Sequence, residues 1–430
     1  MSELEQTPAP EQASSGAQLE RASKRVRQRP TVARHGRQRR RGAARAVVGA
    51  IGGALAVVLV AGGGVAAVAA WQLQGNIDQV AIGADSIALP PMIGKYEGGF
   101  NLLIVGSDTR SGQGNFGDVD SELNDVTMLL HVAEDQQSAV LVSFPRDLMI
   151  PMPACENGGP ATATAMNTTL FYGGLDCTAK TIESLTGLDI DFAGLITFRG
   201  VIEMSNAVGG VDVCTTGAII DPYTGLRIRS AGTHTLQGRQ ALAFLRSRHG
   251  VGDGSDLSRI STQQVFLSSL VRKIKSEDTL GDPGTVYGLA QASTQNMTLS
   301  RNLSRLDVLA SLALVLKDIP LDRIVMVQYP SRTGVTTPAY YAGKAAPIPA
   351  LADALFDAIR KDRPIALDGD SVDTGRGSVT EDPNAPDPDE SPTPDPSGSP
   401  APEPTPTEDP VTVAGVKGQS ASQYTCAVPF

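Results

Sequence analysis

A chain of 430 residues with a net charge of -10 exceeds one average domain, although about a third of it lacks the apolar content to join a core. The charge is split: residues 1–45 carry eleven Lys/Arg against four Glu, about +7, which leaves the rest near -17. Such a division excludes a uniformly acidic soluble protein and points to a molecule that occupies two compartments.

The basic head, residues 1–45, lacks interleaved aromatics and any DNA-binding pattern, so its arginines read as a topology signal and as contacts to anionic lipid. No charged residue occurs between Arg45 and Asp78, and the apolar stretch Ala46–Trp71 is 26 residues long. About 20 residues suffice to cross a hydrocarbon core. A single transmembrane helix over 46–71 is therefore expected, with the N-terminus cytoplasmic and the remainder outside the cell. Residues 72–97 read as a juxtamembrane connector, and 98–366 as one large domain.

Within that domain, Phe100–Gly106 is a continuous apolar run ending in glycine and predicts a buried strand. Asp125–Ala133 and Ser138–Phe144 predict two more, joined as an antiparallel hairpin through the polar turn at 134–137. Helical spacing appears at Thr178–Leu185 and Gly200–Ala207, closed by Gly187 and Gly209. Two further helices are expected at Gln237–Arg248 and Ser258–Lys275. In the second, Ile260, Val265, Leu267, Leu270, Val271 and Ile274 leave the opposite face polar. A strand at Arg323–Tyr329 precedes a final helix over Leu351–Arg360. Alternating strands and helices without a repeat give an α/β class with a mixed sheet. Residues 367–410 collapse to Pro, Asp, Glu, Ser and Thr and predict an extended, disordered acidic linker; 411–430 is a short C-terminal segment without an evident role.

Four cysteines lie outside the expected span, where disulfides form. Cys155 and Cys177 bracket a loop and are the preferred pair, which leaves Cys214 with Cys426; three connectivities are open. No C-x-x-C, G-x-S-x-G, Walker A or H-E-x-x-H pattern occurs, and His35, His131, His234 and His249 show no metal spacing. His131 reads as a core residue, while His249 adjoins an arginine-rich turn.

The residues able to carry chemistry fall in four places. Asp108 and Arg110, in GSDTR, follow the end of an apolar strand, where open α/β sheets place ligands. Asp125 opens the next strand, and two carboxylates meeting at one sheet end suit Mg²⁺ shared with substrate phosphates. Arg146 and Asp147 close SFPRD. Arg246 and Arg248 stand near a helix end, followed by Arg259 and Gln263 four apart on one helix face. Guanidinium groups suit phosphate because a planar fork donates two parallel hydrogen bonds and keeps its charge. Taken singly, each motif also has a structural reading as a turn, cap or solvated face.

Together the segments FNLLIVGSDTR, NDVTMLLHV, SFPRD, AMNTTLFYGG, NAVGGVDVC, GTHTLQGRQALAFLRSRHGVGDGSD and SRISTQQ resemble the LytR–CpsA–Psr proteins of bacterial envelopes, in an actinobacterial style. The likeness covers roughly 98–275 and weakens toward 366. It implies a three-layer α/β/α sandwich whose hydrophobic cavity holds a polyprenyl chain, with the pyrophosphate at its mouth. Asp108 and Asp125 match the acidic residues near Mg²⁺ (or Mn²⁺). Arg110, Arg146, Arg246, Arg248, Arg259 and Gln263 match those contacting the pyrophosphate, and Asp256 a further acidic position. Asp108 and Arg110 are the catalytic candidates.

Two departures stand out. Leu123 and Asn124 occupy positions where the family often carries a basic residue, and the long loop after Arg110 offers Asp118, Asp120 or Glu122 as rival acidic ligands. Ser261 and Thr262 replace a polar and basic pair. The implied activity is transfer of a glycopolymer from polyprenyl pyrophosphate to a peptidoglycan sugar hydroxyl, with phosphodiester formation, release of polyprenyl phosphate, and pyrophosphate hydrolysis as a side activity. A non-catalytic, membrane-anchored glycopolymer- or lipid-binding protein and an envelope regulator are the alternatives.

Overall fold

The computed structural model describes residues 75, 77–86, 89–107, 122–156, 158–159, 163–276, 279, 282–368, 376–380 and 409–430. The expected transmembrane helix, the basic head, and the loop bearing Asp108 and Arg110 lie outside the described residues. Among those described, no helix is long and apolar enough to cross a membrane.

Eight strands form the central sheet: β1 (Asp78–Val80), β2 (Phe100–Ser107), β3 (Asn124–Val132), β4 (Ala139–Phe144), β5 (Phe192–Ile196), β8 (Met297–Ser300), β9 (Ile324–Gln328) and β11 (Gly418–Ser420). A second sheet contains β6 (Val211–Thr215), β7 (Gly232–Leu236), β10 (Arg376–Thr380) and β12 (Tyr424–Ala427). The central order is β1-β8-β5-β2-β3-β4-β9-β11, and the second sheet runs β7-β6-β12-β10. Pairs β2–β3 and β3–β4 are antiparallel, as the hairpin pattern requires, whereas β2–β5 and β4–β9 are parallel. The sheet is therefore mixed.

Alternation along the strands sends side chains to two separate cores. Leu103, Val105, Leu129, Val140 and Val142 pack on one face with Leu175 and Ile182 of α1 (Thr169–Thr186) and Leu355 and Phe356 of α7 (Pro349–Arg360). Phe100, Met128, Leu141 and Met326 pack on the other with Val308 and Leu312 of α6 (Leu306–Asp318). Each such side chain, fully buried, contributes about 1.5–3 kcal/mol. Helices on both faces give the three layers. The other α-helices among the described residues are α2 (Phe198–Ala207), α3 (Arg239–Arg246), α4 (Asp256–Lys275) and α5 (Pro283–Asn296). Gly187 caps α1 in the left-handed conformation at φ 68°, which a residue with a Cβ adopts only at a cost.

Two expectations need correction. The domain does not begin at 98, because β1, inside the presumed connector, pairs with β8 at the sheet edge. The polar face of α4 is buried: Ser258, Ser261, Thr262, Gln263, Gln264 and Ser268 are all shielded from solvent. For Ser261, Gln264 and Ser268 the partners come from neighbouring strands. Gln328 Nε2 donates to Ser261 Oγ at 2.7 Å, and Gln419 Nε2 donates to Ser268 Oγ at 2.8 Å and to the Gln264 carbonyl at 3.0 Å.

The second correction concerns the C-terminus. Arg376–Thr380, inside the stretch expected to be disordered, is a strand against β12; it is free of proline, and the edge of β12 offers the backbone groups it needs. The last residues enter both sheets, as β11 beside β9 and β12 beside β6. Both expected disulfides are present, Cys155–Cys177 and Cys214–Cys426.

Candidate functional site

Strands β2 and β3 meet in a register shift between Gly106 and Ser107, where Ser107 faces Asn124. Asn124 is fully buried; its Nδ2 donates to Thr127 Oγ1 at 2.7 Å, and its Oδ1 accepts from Thr169 Oγ1 at 3.2 Å. Where the family pattern favours a basic residue, this chain ties β3 to α1 instead. The tie fixes the next residue, Asp125, at the sheet end.

Asp125 is ion-paired with Arg146, and its carbonyl accepts from Arg259 Nη2 at 2.8 Å. Asp256, at the first turn of α4, gathers three partners: Arg259 Nη2 at 2.8 Å, Arg248 Nη2 at 3.2 Å and the backbone N–H of Arg146 at 3.1 Å. Asp147 accepts from Lys344 Nζ at 3.0 Å and lies 3.9 Å from both Arg146 and Arg248. Thus Asp125, Arg146, Arg248, Asp256 and Arg259, named from scattered motifs, form one network. The loop carrying Arg248 is shaped by Asp221, whose carboxylate accepts from Ser247 Oγ at 2.8 Å and from the N–H groups of Arg248 and His249.

Beside the network lies a cavity of about 140 Å³ between β2, β3, β5 and helices α2, α3 and α4. Its walls include Ile104, Met128, Val201, Leu242 and Leu267, while Ser107, Asp125, Thr197, Arg246, Arg259 and Gln263 are its polar lining. The Arg246 guanidinium stacks 4.3 Å from the centre of the Phe198 ring. Gln263 Nε2 donates to the Leu245 carbonyl at 2.9 Å and so braces the end of α3 that carries Arg246.

Charge is not balanced here. Among the described residues the cluster holds five cations (Arg146, Arg246, Arg248, Arg259, Lys344) and three carboxylates (Asp125, Asp147, Asp256). The Nε groups of Arg146, Arg248 and Arg259 are buried with no hydrogen-bond partner among the described residues. Burial pulls the Arg248 pKa down, and repulsion from Arg259 and Arg146 adds to it, against the pull of Asp256 and Asp147. Burial acts the same way on Arg146, but the surrounding Asp125, Asp147 and Asp256 outweigh it and raise its pKa. Unused donors and surplus positive charge over an apolar cavity suit an anion with a greasy tail.

No group of three or more His, Cys, Asp or Glu residues is assembled for a metal among the described residues. Mg²⁺ needs only one or two carboxylates plus substrate phosphates, and Asp125 on the cavity lining meets that condition. Glu122 is exposed, and Asp118 and Asp120 lie outside the described residues. His131 is buried between Asn101 and Asp362. The exposed ring of His249 packs on Tyr223, 4.3 Å between centroids, rather than on the arginines.

Two participants escaped the sequence reading. Lys344 is almost two hundred residues from Asp147, its ion-pair partner, with no motif to mark it. Asp221 sits in an ordinary turn sequence, DPYTG, that gives no hint of its contacts with the arginine loop.

The family model of LytR_cpsA_psr matches residues 72–356. Similar proteins include the cell wall biosynthesis protein LcpA of Corynebacterium glutamicum, 31% identical over 47% of this chain and 45% of LcpA. The polyisoprenyl-teichoic acid–peptidoglycan teichoic acid transferase TagT of Bacillus subtilis is 28% identical over 49% of this chain and 62% of TagT. The matched region spans about half the length of such relatives. A LytR-Csp2A-Psr enzyme from Actinomyces oris has a similar fold, with a TM-score of 0.50 and 21% identity over 66% of this chain and 96% of that one. So does the protein gbs0355 of Streptococcus agalactiae, with a TM-score of 0.52 and 22% identity over 62% and 88%.

Proposed function

This chain belongs to the LytR_cpsA_psr family, and from that membership we propose that it transfers a glycopolymer from a polyprenyl-pyrophosphate carrier to a sugar hydroxyl of peptidoglycan. The name of TagT describes a transfer of this kind. The observation that carries the reading is the convergence of Arg146, Arg248 and Arg259 beside an apolar cavity lined at its polar end by Asp125, Arg246 and Arg259. A lipid diphosphate combines the two chemistries that this site offers.

In the proposed reaction the acceptor hydroxyl oxygen attacks the sugar-proximal phosphorus. A new P–O bond forms, the bond to the bridging oxygen breaks, and polyprenyl phosphate leaves with the electron pair. Asp108 is the candidate base for the hydroxyl proton. Arg146, Arg248 and Arg259 hold the diphosphate oxygens and neutralise charge spreading over them, which is most of what a protein supplies in phosphoryl transfer. Asp125 orients Arg146, and Asp256 orients Arg248 and Arg259. Arg110 and Arg246 add further donors, and Gln263 steadies Arg246. Mg²⁺ or Mn²⁺, held by Asp108 and Asp125, would supply additional charge neutralisation. Anchoring by Ala46–Trp71, with the catalytic domain outside the cell, would keep the enzyme beside its lipid-borne donor.

The test incubates the full chain in detergent micelles with a polyprenyl-pyrophosphate glycan, Mg²⁺ and uncrosslinked wall fragments, followed by mass spectrometry. A glycan joined to the wall through a phosphodiester, with polyprenyl phosphate in equal amount, is expected. Asp108→Asn should abolish it while donor binding persists. Absence of the product from the wild type, or undiminished transfer by Asp108→Asn, overturns the reading; release of the glycan phosphate to water alone would replace it with hydrolysis.

A further inference from the structure

A cleft of about 850 Å³ runs along the junction of α2 and α5 and reaches β1 and β8. Its size falls within the range of ligand sites, about 300–1,000 Å³, but such sites are mostly apolar. This one is lined by the carboxamides of Asn206, Gln291, Gln295 and Asn296, with Thr197 and Thr298. Charge inside it is sparse and mixed, Arg199 with Asp78 and Glu203, in contrast to the neighbouring arginine cluster. Gln291 and Gln295 are exposed, and their side chains make no hydrogen bond among the described residues. Exposed Tyr287 stands one turn before Gln291 on the same helical face.

Position relates the cleft to the cavity. Gly106 of β2 pairs with Ile196 of β5, and Ile196 pairs in turn with Met297 of β8. Gly106 and Ile196 border the cavity, and Met297 borders the cleft. With strands about 4.8 Å apart, the two spaces open along one sheet end roughly 10 Å from each other. Thr197 borders both, and α2 is the wall between them.

We infer that the α2–α5 cleft binds the neutral glycan strand of the acceptor and feeds its hydroxyl toward the arginine cluster. Each carboxamide offers both a donor and an acceptor, which matches paired sugar hydroxyls and acetamido groups. Near-neutral lining gives no reason for an anionic polymer to prefer it, so the charged donor is directed to the arginines and the uncharged sugar backbone of the acceptor to the amides. This assignment rests on the transfer reading for the role of the bound sugar, though not for the binding itself.

Two variants of the full chain in detergent micelles test it. Gln291→Ala combined with Gln295→Ala removes exposed amides. Gly288→Phe fills the cleft from a helical position where an added Cβ would lie 3.7 Å from Ala207 Cβ, an ordinary contact. Binding of chitotetraose, a neutral β-linked N-acetylglucosamine oligomer, is measured by titration calorimetry together with transfer kinetics. Both variants should weaken chitotetraose binding at least tenfold and raise KM for wall acceptor tenfold, with donor KM unchanged. Failure of the wild type to bind chitotetraose, undiminished binding by both variants, or a rise in donor KM instead of acceptor KM overturns the inference. Loss of sugar binding in the variants without any transfer by the wild type would retain the cleft as a glycan site and sink only the transfer reading.

Discussion

Asp256 is the residue on which the arginine cluster turns. Only 8% exposed, it answers Arg248, Arg259 and the backbone of Arg146 at once. A buried ion pair adds little net stability while intact, but removing one partner strands the other in a poor solvent. Asp256→Ala should therefore cost about 3–5 kcal/mol, read as a lowered midpoint in urea. Inorganic pyrophosphate should stabilise the wild type and raise its melting temperature, because it binds only the folded cluster. A second residue sets an acid limit. Asp307 is held down to about pKa 2, chiefly by its hydrogen bonds from Arg305, and it also accepts from the N–H of Met92. Its folded pKa lies below the unfolded value of about 3.9, so its contribution is whole above about pH 4 and disappears as the pH falls toward 2. Arg305 also donates to the carbonyls of Leu89 and Pro90. Protection of the Met92 amide from exchange, corrected for intrinsic rate, should accordingly fall across that interval while β3 amides stay protected.

At the level of elements, α4 joins the site to the sheet. Its N-terminal turn carries Asp256 and Arg259, and its buried amides and hydroxyls engage β9 and β11. Gln419→Leu would keep the shape but leave the buried Thr425 hydroxyl without its acceptor, while Ser268 Oγ keeps the Val265 carbonyl. Each stranded buried group costs about 1–3 kcal/mol, and denaturant titration should show at least one such loss. The helix also marks where sequence reasoning reached and where it stopped. Strong local patterns, such as the apolar runs of β2, β3 and β4, gave their elements because burial alone dictates them. Asp125, Arg146, Arg248, Arg259 and Gln263 could be gathered only through the family resemblance, since each motif taken singly also reads as a turn, cap or solvated face. By contrast, SRISTQQVFLSS looks half polar in one dimension. Apart from Arg259 its polar residues are uncharged, which is the trace of a helix satisfied by partners rather than by water, but the partners of Ser261, Gln264 and Ser268 sit at Gln328 and Gln419, and local periodicity does not report them. Lys344 and Asp221 were hidden for the same reason: each acts through a contact distant in sequence.

Across the whole molecule, the last twenty residues complete the fold. β11 extends the central sheet, β12 enters the second, and Cys426 closes on Cys214 over a separation of 212 residues. Beyond β12, the Val428 carbonyl accepts from the N–H of Gly252, and the N–H of Phe430 donates to the Gly250 carbonyl, so the chain's end grips the loop that follows Arg248. Crossing so long a loop, the disulfide should add about 2–5 kcal/mol by restricting the unfolded chain. The acidic, proline-rich run from 381 to 408 is consequently flanked on both sides by paired strands and is a handle rather than a loose end. A protease that nicks this handle would produce two polypeptides that still travel as one. They should migrate together in a gel without reductant and separate with it, and the nicked protein should keep its activity for as long as the sulfur link and the two inserted strands hold the pieces in register.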